Sequence, residues 1–296
     1  MTRKLLLGLS ALLLTAALLA GCEKKAPPAP AGTVKASTAY VEYFGQPPTP
    51  ESGTCFARVG FFPLRSEPDK VRPVPLFLFR EEGQLQLLLD RLVSGEVTFP
   101  EGSELFNPFP AGTRVQVRSL GEGVTELTLS LDGTSTAAPD FAAMAAALTE
   151  TAVQFDEVGK IQILLDGAPL AGMPAGGFRH EALRVAAPDS PQLLMVGGNW
   201  EHGAEDPEEI LANFDRPVTI GNFRLRDAAG QEVKGKYYQS AFDMAVVIHP
   251  ENPSAFREGI SLWAEWEVTD ALGRQGRGEG AFRLRRHEHP ATEKEL

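Results

Sequence analysis

The chain predicts an α+β domain followed by an all-β sandwich, both carried behind an apolar amino-terminal leader. Three observations give that order. Between Cys55 and Met173 the apolar period switches repeatedly between that of strands and that of helices. Between Pro174 and Pro191 the periodicity lapses, and Gly176-Gly177 and prolines take its place. From Gln192 onward short β-like runs recur, separated by glycine-containing turns.

The leader comes first. Met1-Thr2-Arg3-Lys4 is basic, Leu5 to Ala20 is apolar, and Gly21-Cys22 follows. A short basic start before a leucine- and alanine-rich core is the layout of an export signal. The core falls short of the ~20 residues that cross the hydrocarbon, and Glu23-Lys24-Lys25 follows at once. Leu19-Ala20-Gly21-Cys22 resembles the lipobox of bacterial lipoproteins. That resemblance implies cleavage after residue 21, a diacylglyceryl thioether on Cys22 and acylation of the new amino terminus. Two or three acyl chains, at ~0.8 kcal/mol per buried methylene, anchor stably. The expected partner of the mature amino terminus is therefore a membrane, reached through lipid on Cys22: the cell membrane, or the outer membrane of a cell with two. An ordinary secretory signal with an incidental cysteine is the competing reading.

Removal of residues 1–21 deletes Arg3 and Lys4 and takes the formal charge from −11 to −13. An acidic body without a basic patch argues against nucleic acid as a partner. With 43% hydrophobic and 23% charged residues the composition is that of a globular protein, long enough for two modest domains. If Cys22 is a thioether, Cys55 has no intramolecular disulfide partner. Flanked by Phe56, Ala57 and Val59, Cys55 reads as a strand thiol packed in a core rather than a nucleophile.

Residues 22–53 are rich in Pro, Ala, Thr and Ser and read as an extended tether. Tyr40-Val41-Glu42-Tyr43-Phe44 interrupts it with an aromatic run suited to docking on a neighbouring surface. The α+β domain spans 54–173. Cys55–Leu64 and Val74–Phe79 are strands, and Leu85, Leu88, Leu89 and Leu92 mark a helix stopped by Gly95. Val115 and Val117, then Leu127, Leu129 and Leu131, mark two more strands. Phe141, Met144, Leu148, Ala152 and Phe155 share a helical face begun by Pro139-Asp140, and Ile161, Ile163 and Leu164 close the series before the turn at Asp166-Gly167. The expectation is an antiparallel-rich sheet with two helices covering one face. After a junction at 174–191, the sandwich occupies 192–286, with Asp206-Pro207-Glu208-Glu209 read as one capped helical turn. A charged tail follows at 287–296, frayed from about Arg285.

These segments resemble a known family. Leu92-Val93-Ser94-Gly95, Asn107-Pro108-Phe109-Pro110-Ala111-Gly112-Thr113, Leu127-Thr128-Leu129-Ser130 and the run from Ala147-Leu148-Thr149-Glu150-Thr151 to Asp166-Gly167 resemble, in order, the landmarks of the GerMN domain of spore-germination and sporulation lipoproteins. Thr128 stands where that family often has Asp. Asn213-Phe214-Asp215-Arg216-Pro217-Val218 and Val268-Thr269-Asp270-Ala271-Leu272-Gly273 resemble a strand and a turn of bacterial immunoglobulin-like modules. The resemblance implies a GerMN-like α+β domain followed by an Ig-like sandwich, with an extracytoplasmic assembly role.

The sequence contains no Gly-x-Ser-x-Gly, Ser-x-x-Lys, phosphate-cradling Gly-x-x-x-x-Gly-Lys followed by Ser or Thr, or His-Glu-x-x-His. His287 and His289 share the charged tail, His249 precedes Pro250, and His180 and His202 lie in loops without a ligand at metal spacing. Glu201, Glu205, Asp206, Glu208 and Glu209 lack a calcium-loop layout and read as a cap and a solvated face. Asp132-Gly133 and Asp166-Gly167 follow strands and read as turns. Trp263 and Trp266, three apart on a strand, face opposite sides, so at least one is core; with Trp200 they are the candidate aromatic surface. No catalytic residue, metal site or cofactor is expected. The leading functional expectation is a non-enzymatic envelope lipoprotein that binds another envelope protein, its oligomeric state left open. The competing class is a glycan- or peptidoglycan-binding, or hydrolytic, envelope protein using an interdomain cleft, for which a buried convergent pair of carboxylates would be the mark.

Overall fold

Strand β2 (Thr54–Pro63) frames the first half of the protein, seen in a computed structural model that describes residues 32–95, 97, 99–100, 102–131 and 140–288. Strand β1 (Thr33–Ala36) lies parallel on one side of it and β3 (Val71–Leu78) antiparallel on the other, with Phe56 opposite Leu78 and Pro63 opposite Val71. Most of β2 is buried because both faces are covered. Cys55, Ala57, Val59 and Phe61 join Tyr40, Phe44 and Phe77 in one cluster; Phe62 and, just past the strand, Leu64 join the larger core on the opposite side.

Helix α1 (Thr38–Phe44) supplies Tyr40 and Phe44, which are 0% and 4% exposed. Ser37 caps it by accepting from the Tyr40 amide at 3.2 Å. Residues 33–45, expected within the extended tether, are thus a strand and a helix of the fold. The reason is the burial of two aromatic side chains, which outweighs the ordering entropy of a short helix in a Pro- and Ala-rich setting.

Helix α2 (Gln84–Val93), β4 (Arg114–Gly121), β5 (Val124–Ser130), α3 (Phe141–Ala152) and β6 (Lys160–Leu165) follow in the expected order, and a short β7 (Ala168–Pro169) is added after them. The hairpin β4–β5 is antiparallel, and β5 and β6 are parallel, joined through α3 as a crossover requires. Asp140 caps α3 by accepting from the Ala143 amide. Where one sheet was expected, there are two, ordered β1-β2-β3 and β4-β5-β6-β7, and the helices pack on both. Helix α3 explains this. Every residue from Ala143 to Ala152 is buried, so the helix is enclosed rather than one-sided, and its alanines let backbones approach on several sides.

Two glutamines finish the strand edges. Beyond Ala57, β2 has no β1 residue to pair with. There the side chain of Gln154, just past α3, accepts from the Val59 amide at 3.1 Å and donates to the Val59 carbonyl at 2.7 Å, while Thr151 Oγ1 accepts from the Phe61 amide at 3.0 Å. Gln86 of α2 does the same for β4, donating to the Val115 carbonyl and accepting from the Val117 amide. A side-chain amide carries the donor–acceptor pair of a peptide group, so each glutamine replaces a missing strand.

The segment after β7 runs back along the first half: Phe178 bridges Ile161, and Val185, after a 3-10 turn at Ala182–Arg184, bridges Val71. The second half holds β8 (Leu193–Trp200), β9 (Glu209–Phe214), β10 (Val218–Arg226), β11 (Gly235–Gln239), β12 (Ala245–Pro250), β13 (Ser261–Asp270), β14 (Gln275–Arg283) and β15 (Arg285–Glu288). They form sheets ordered β10-β13-β14 and β11-β12-β9-β8-β15 around a core that includes Trp200, Phe214, Ile248 and Leu262. A two-sheet β region thus stands where the all-β part was expected. Two details differ. Glu209 begins a strand instead of continuing a helical turn, because Ile210, Ala212 and Phe214 alternate inward. Residues 285–288, expected as frayed, pair in parallel with Gly197–Trp200 as β15. Among the described residues no helix is long and apolar enough to cross a membrane.

A buried ionic network links α1 to the second half. Asp270 Oδ1 accepts from the Leu272 and Arg274 amides; its Oδ2 accepts from Arg274 Nε at 2.6 Å and from Arg216 Nη1 at 3.4 Å. Arg274 also donates to the Tyr43 carbonyl at 2.7 Å, and the Arg216 guanidinium lies 5.8 Å from the centre of the Phe44 ring. Gly45 ends α1 at φ 76°, and a Cβ there would meet Ala271 at 3.1 Å, so this contact needs glycine for both conformation and space.

Candidate functional site

Helix α3 carries Glu150 on an otherwise nearly apolar surface. Its side chain is 1% exposed, and both oxygens are used: one accepts from the Glu181 amide at 3.1 Å, the other lies 2.6 Å from His180 Nδ1. His180 is exposed, in the segment pinned by Phe178 and Val185. A buried carboxylate is tolerated only with such partners, and here they fasten the return segment across α3.

A cleft of about 450 Å³ opens between α1, the end of α3 and this return segment. Ala39, Val153 and Val185 form apolar walls, Gln154 and Glu150 lie deeper, and Glu42 lines the opening from the exposed side of α1. Tyr43 and Phe61 pack edge to face against each other in its lining, ring centres 5.9 Å apart. Burial, and then the charges of Glu42 and Glu150, push the Tyr43 hydroxyl above the ordinary phenol range, so it is protonated at neutral pH. Chemically the cleft offers two carboxylates, a phenol, an imidazole and aromatic and aliphatic surface.

The residues singled out in the sequence are distributed as follows. Leu19, Ala20, Gly21, Cys22, Asp132-Gly133 and His289 lie outside the described residues. Cys55 is a buried core thiol, its pKa raised by burial against the opposing pull of Arg58. His202 Nδ1 lies 3.3 Å from Glu288, His249 lies 3.9 Å from Glu209, and His287 sits opposite Asn199 on β15. In the acidic cluster, Asp206 pairs with Arg257 and Glu209 accepts from Asn199, while Glu201, Glu205 and Glu208 are exposed. Among the described residues no group of three or more His, Cys, Asp or Glu side chains gathers to hold a metal.

Trp200 is 0% exposed and donates to the Glu205 carbonyl. Trp266 packs on the same core while Trp263, on the other face of β13, is 40% exposed. At Asn107–Thr113, Gly112 has φ 80°, Asn107 Oδ1 accepts from the Phe109 amide, and the Thr113 hydroxyl donates to the Pro110 carbonyl at 2.6 Å. Asp166 and Gly167 both have positive φ and make the two-residue turn into β7.

Sequence reasoning missed the Glu150–His180 pair and the cleft. One signal was present: a single carboxylate, between Thr149 and Thr151, in an alanine-rich helix that holds no other charged residue. Its partner lies thirty residues on, in a segment with no periodicity, where only the fold brings it near.

Residues 61–171 match a family model described as Germane, sporulation and spore germination. Among solved structures, the first GerMN domain of the sporulation protein GerM from Bacillus subtilis is 23% identical, over 42% of this chain and 93% of that one, with a TM-score of 0.33. The tandem GerMN domains of the same protein are 18% identical over 60% of this chain and 58% of theirs, also at 0.33. The copper resistance protein PcoC from Escherichia coli is 18% identical over 32% of this chain and 99% of its own, at 0.24. No curated protein sequence matches.

Proposed function

We propose, from the match of residues 61–171 to the GerMN-type family model, that this chain is a lipid-anchored, non-enzymatic envelope protein that binds another protein. On this reading residues 1–21 are removed, Cys22 carries the lipid, residues 54–173 form a GerMN-like domain and 192–286 an Ig-like one. The observation that carries the non-enzymatic part is the state of Glu150. Its oxygens are committed to His180 and the Glu181 amide, so the one deeply buried carboxylate of the cleft acts as a fastener. The mark set for a hydrolytic cleft is a buried carboxylate pair. Glu42 and Glu150 both line the cleft, but Glu42 is exposed.

Crosslinking of the intact protein in its own cells, followed by pull-down, tests the adaptor reading; a defined protein partner is expected. Glycan, peptide and ester hydrolysis by the purified chain, abolished by Glu150→Gln, would overturn it. Cys22→Ala tests the anchor. The variant should lose incorporation of a lipid analogue and leave the membrane fraction, and equal labelling of both forms would sink the assignment.

A further inference from the structure

We propose that the cleft between α1, α3 and the return segment receives a cationic side chain, arginine or lysine, presented by the protein partner. This rests on the adaptor reading and names its recognition chemistry.

Charge is the first argument. The titratable groups lining the cleft are Glu42, Tyr43, Glu150 and His180, and among the described residues no lysine or arginine lines it. Two carboxylates line the cleft against one imidazole. Glu150 already has its partners, but Glu42 has no hydrogen-bond or ion-pair partner among the described residues and is free to take a new one. The second argument is surface. Ala39, Val153 and Val185 give walls for a methylene stem. The third is the aromatic pair. Tyr43 and Phe61 line the same space, and an aromatic ring attracts a cation across its face. Together these match a positive charge on an aliphatic stem. The formal charge of −13 on residues 22–296, which is −11 less the charges of Arg3 and Lys4, adds a long-range field that draws a basic partner in.

The test is an NMR titration of the mature chain, residues 22–296 made without lipid, with acetyl-Gly-Arg-Gly-amide and with its citrulline twin. The twin keeps the shape and loses the charge. Saturating shifts are expected at the amides of Tyr43, Val153 and His180 with the arginine peptide. Citrulline should bind weaker by about five-fold, the factor for one exposed ion pair. Glu42→Gln should weaken the arginine peptide by a similar factor and leave the melting temperature and citrulline binding unchanged. Equal response to the two peptides, no response to either, or wild-type arginine binding by Glu42→Gln would each overturn the proposal. So would the same amides shifting with chitotriose and not with the arginine peptide, which would make the cleft a glycan site. A cellular crosslink that survives Glu42→Gln would remove the cleft from the interface while leaving the adaptor reading in place.

Discussion

Replacing Asp270 by Asn tests whether the ionic network beneath α1 holds the two halves together. The side chain of Asp270 is 1% exposed and that of Arg216 is 3% exposed. Asn keeps an oxygen for the Leu272 and Arg274 amides, but it turns an NH2 group toward Arg274 Nε and Arg216 Nη1, donor against donor. Breaking a buried pair from one side costs about 3–5 kcal/mol because a charge is left behind. Two features place this case at the lower end. Arg216 keeps Asp215, whose Oδ2 accepts from both its Nε and its Nη2, and Arg274 is 27% exposed and can reach water. The expected loss is about 3 kcal/mol, or roughly 6–12 °C in melting temperature for a unit of this size. Arg274→Met serves as the comparison. It removes the more exposed partner and frees the Tyr43 carbonyl, but Asp270 keeps Arg216 and the Leu272 and Arg274 amides, so its loss should be smaller, about 1–2 kcal/mol. The assay is urea denaturation of both variants followed by circular dichroism. A loss below about 1 kcal/mol for Asp270→Asn, or a larger loss for Arg274→Met, would refute the reasoning.

Gln154→Leu should destabilise by about 2–4 kcal/mol, because it leaves the buried Val59 amide and carbonyl without partners, and amide hydrogen exchange at Val59 should accelerate in step. Gly112→Val forces a β-branched residue to φ 80° and should cost about 1–3 kcal/mol in denaturant stability; an unchanged midpoint would reject the turn assignment. Asp243 has its carboxyl pKa raised by burial, so its ionised form is the costly one in the folded state. The stability this group confers is present when it is protonated and is lost as pH rises from the ordinary carboxylate range through the raised folded value. Asp243→Asn should therefore raise the melting temperature at pH 7 and leave it near wild type at pH 3. Asn also suits the left-handed backbone at φ 54°, and a larger gain at pH 3 than at pH 7 would contradict the sign.

Local chemistry made much of the fold legible in the sequence. Leu88, Leu89 and Leu92 are all fully buried on α2, as their spacing requires, and Gly95 follows the helix at φ 80°. Leu127 and Leu129 alternate inward on β5 while Thr128 between them does not. Trp263 and Trp266 divide between surface and core by strand parity alone. The elements of residues 54–173 appear in their expected order because each is set by a periodicity of its own, 3.6 or 2, that needs no knowledge of neighbours.

Long-range pairing decided the rest. Nothing in Thr33–Phe44 by itself marks a strand and a helix; the segment is ordered because β2 accepts β1 along its edge and because Tyr40 and Phe44 find a cavity made by Phe61, Phe77 and Phe242. The number of sheets depended on α3 being buried on all sides, a property of its surroundings that an alanine-rich sequence permits without requiring. The cleft depended on Glu150 meeting His180, and the joint between the halves on Arg274 meeting Tyr43, across separations of 30 and 231 residues. Within residues 54–173 the sequence by itself determined the order of the elements and the inward faces of α2 and β5, because those follow from backbone geometry over a few residues. Only the tertiary structure decided which buried faces meet and which polar groups complete one another, because those energies exist only once distant segments have been brought within hydrogen-bonding reach.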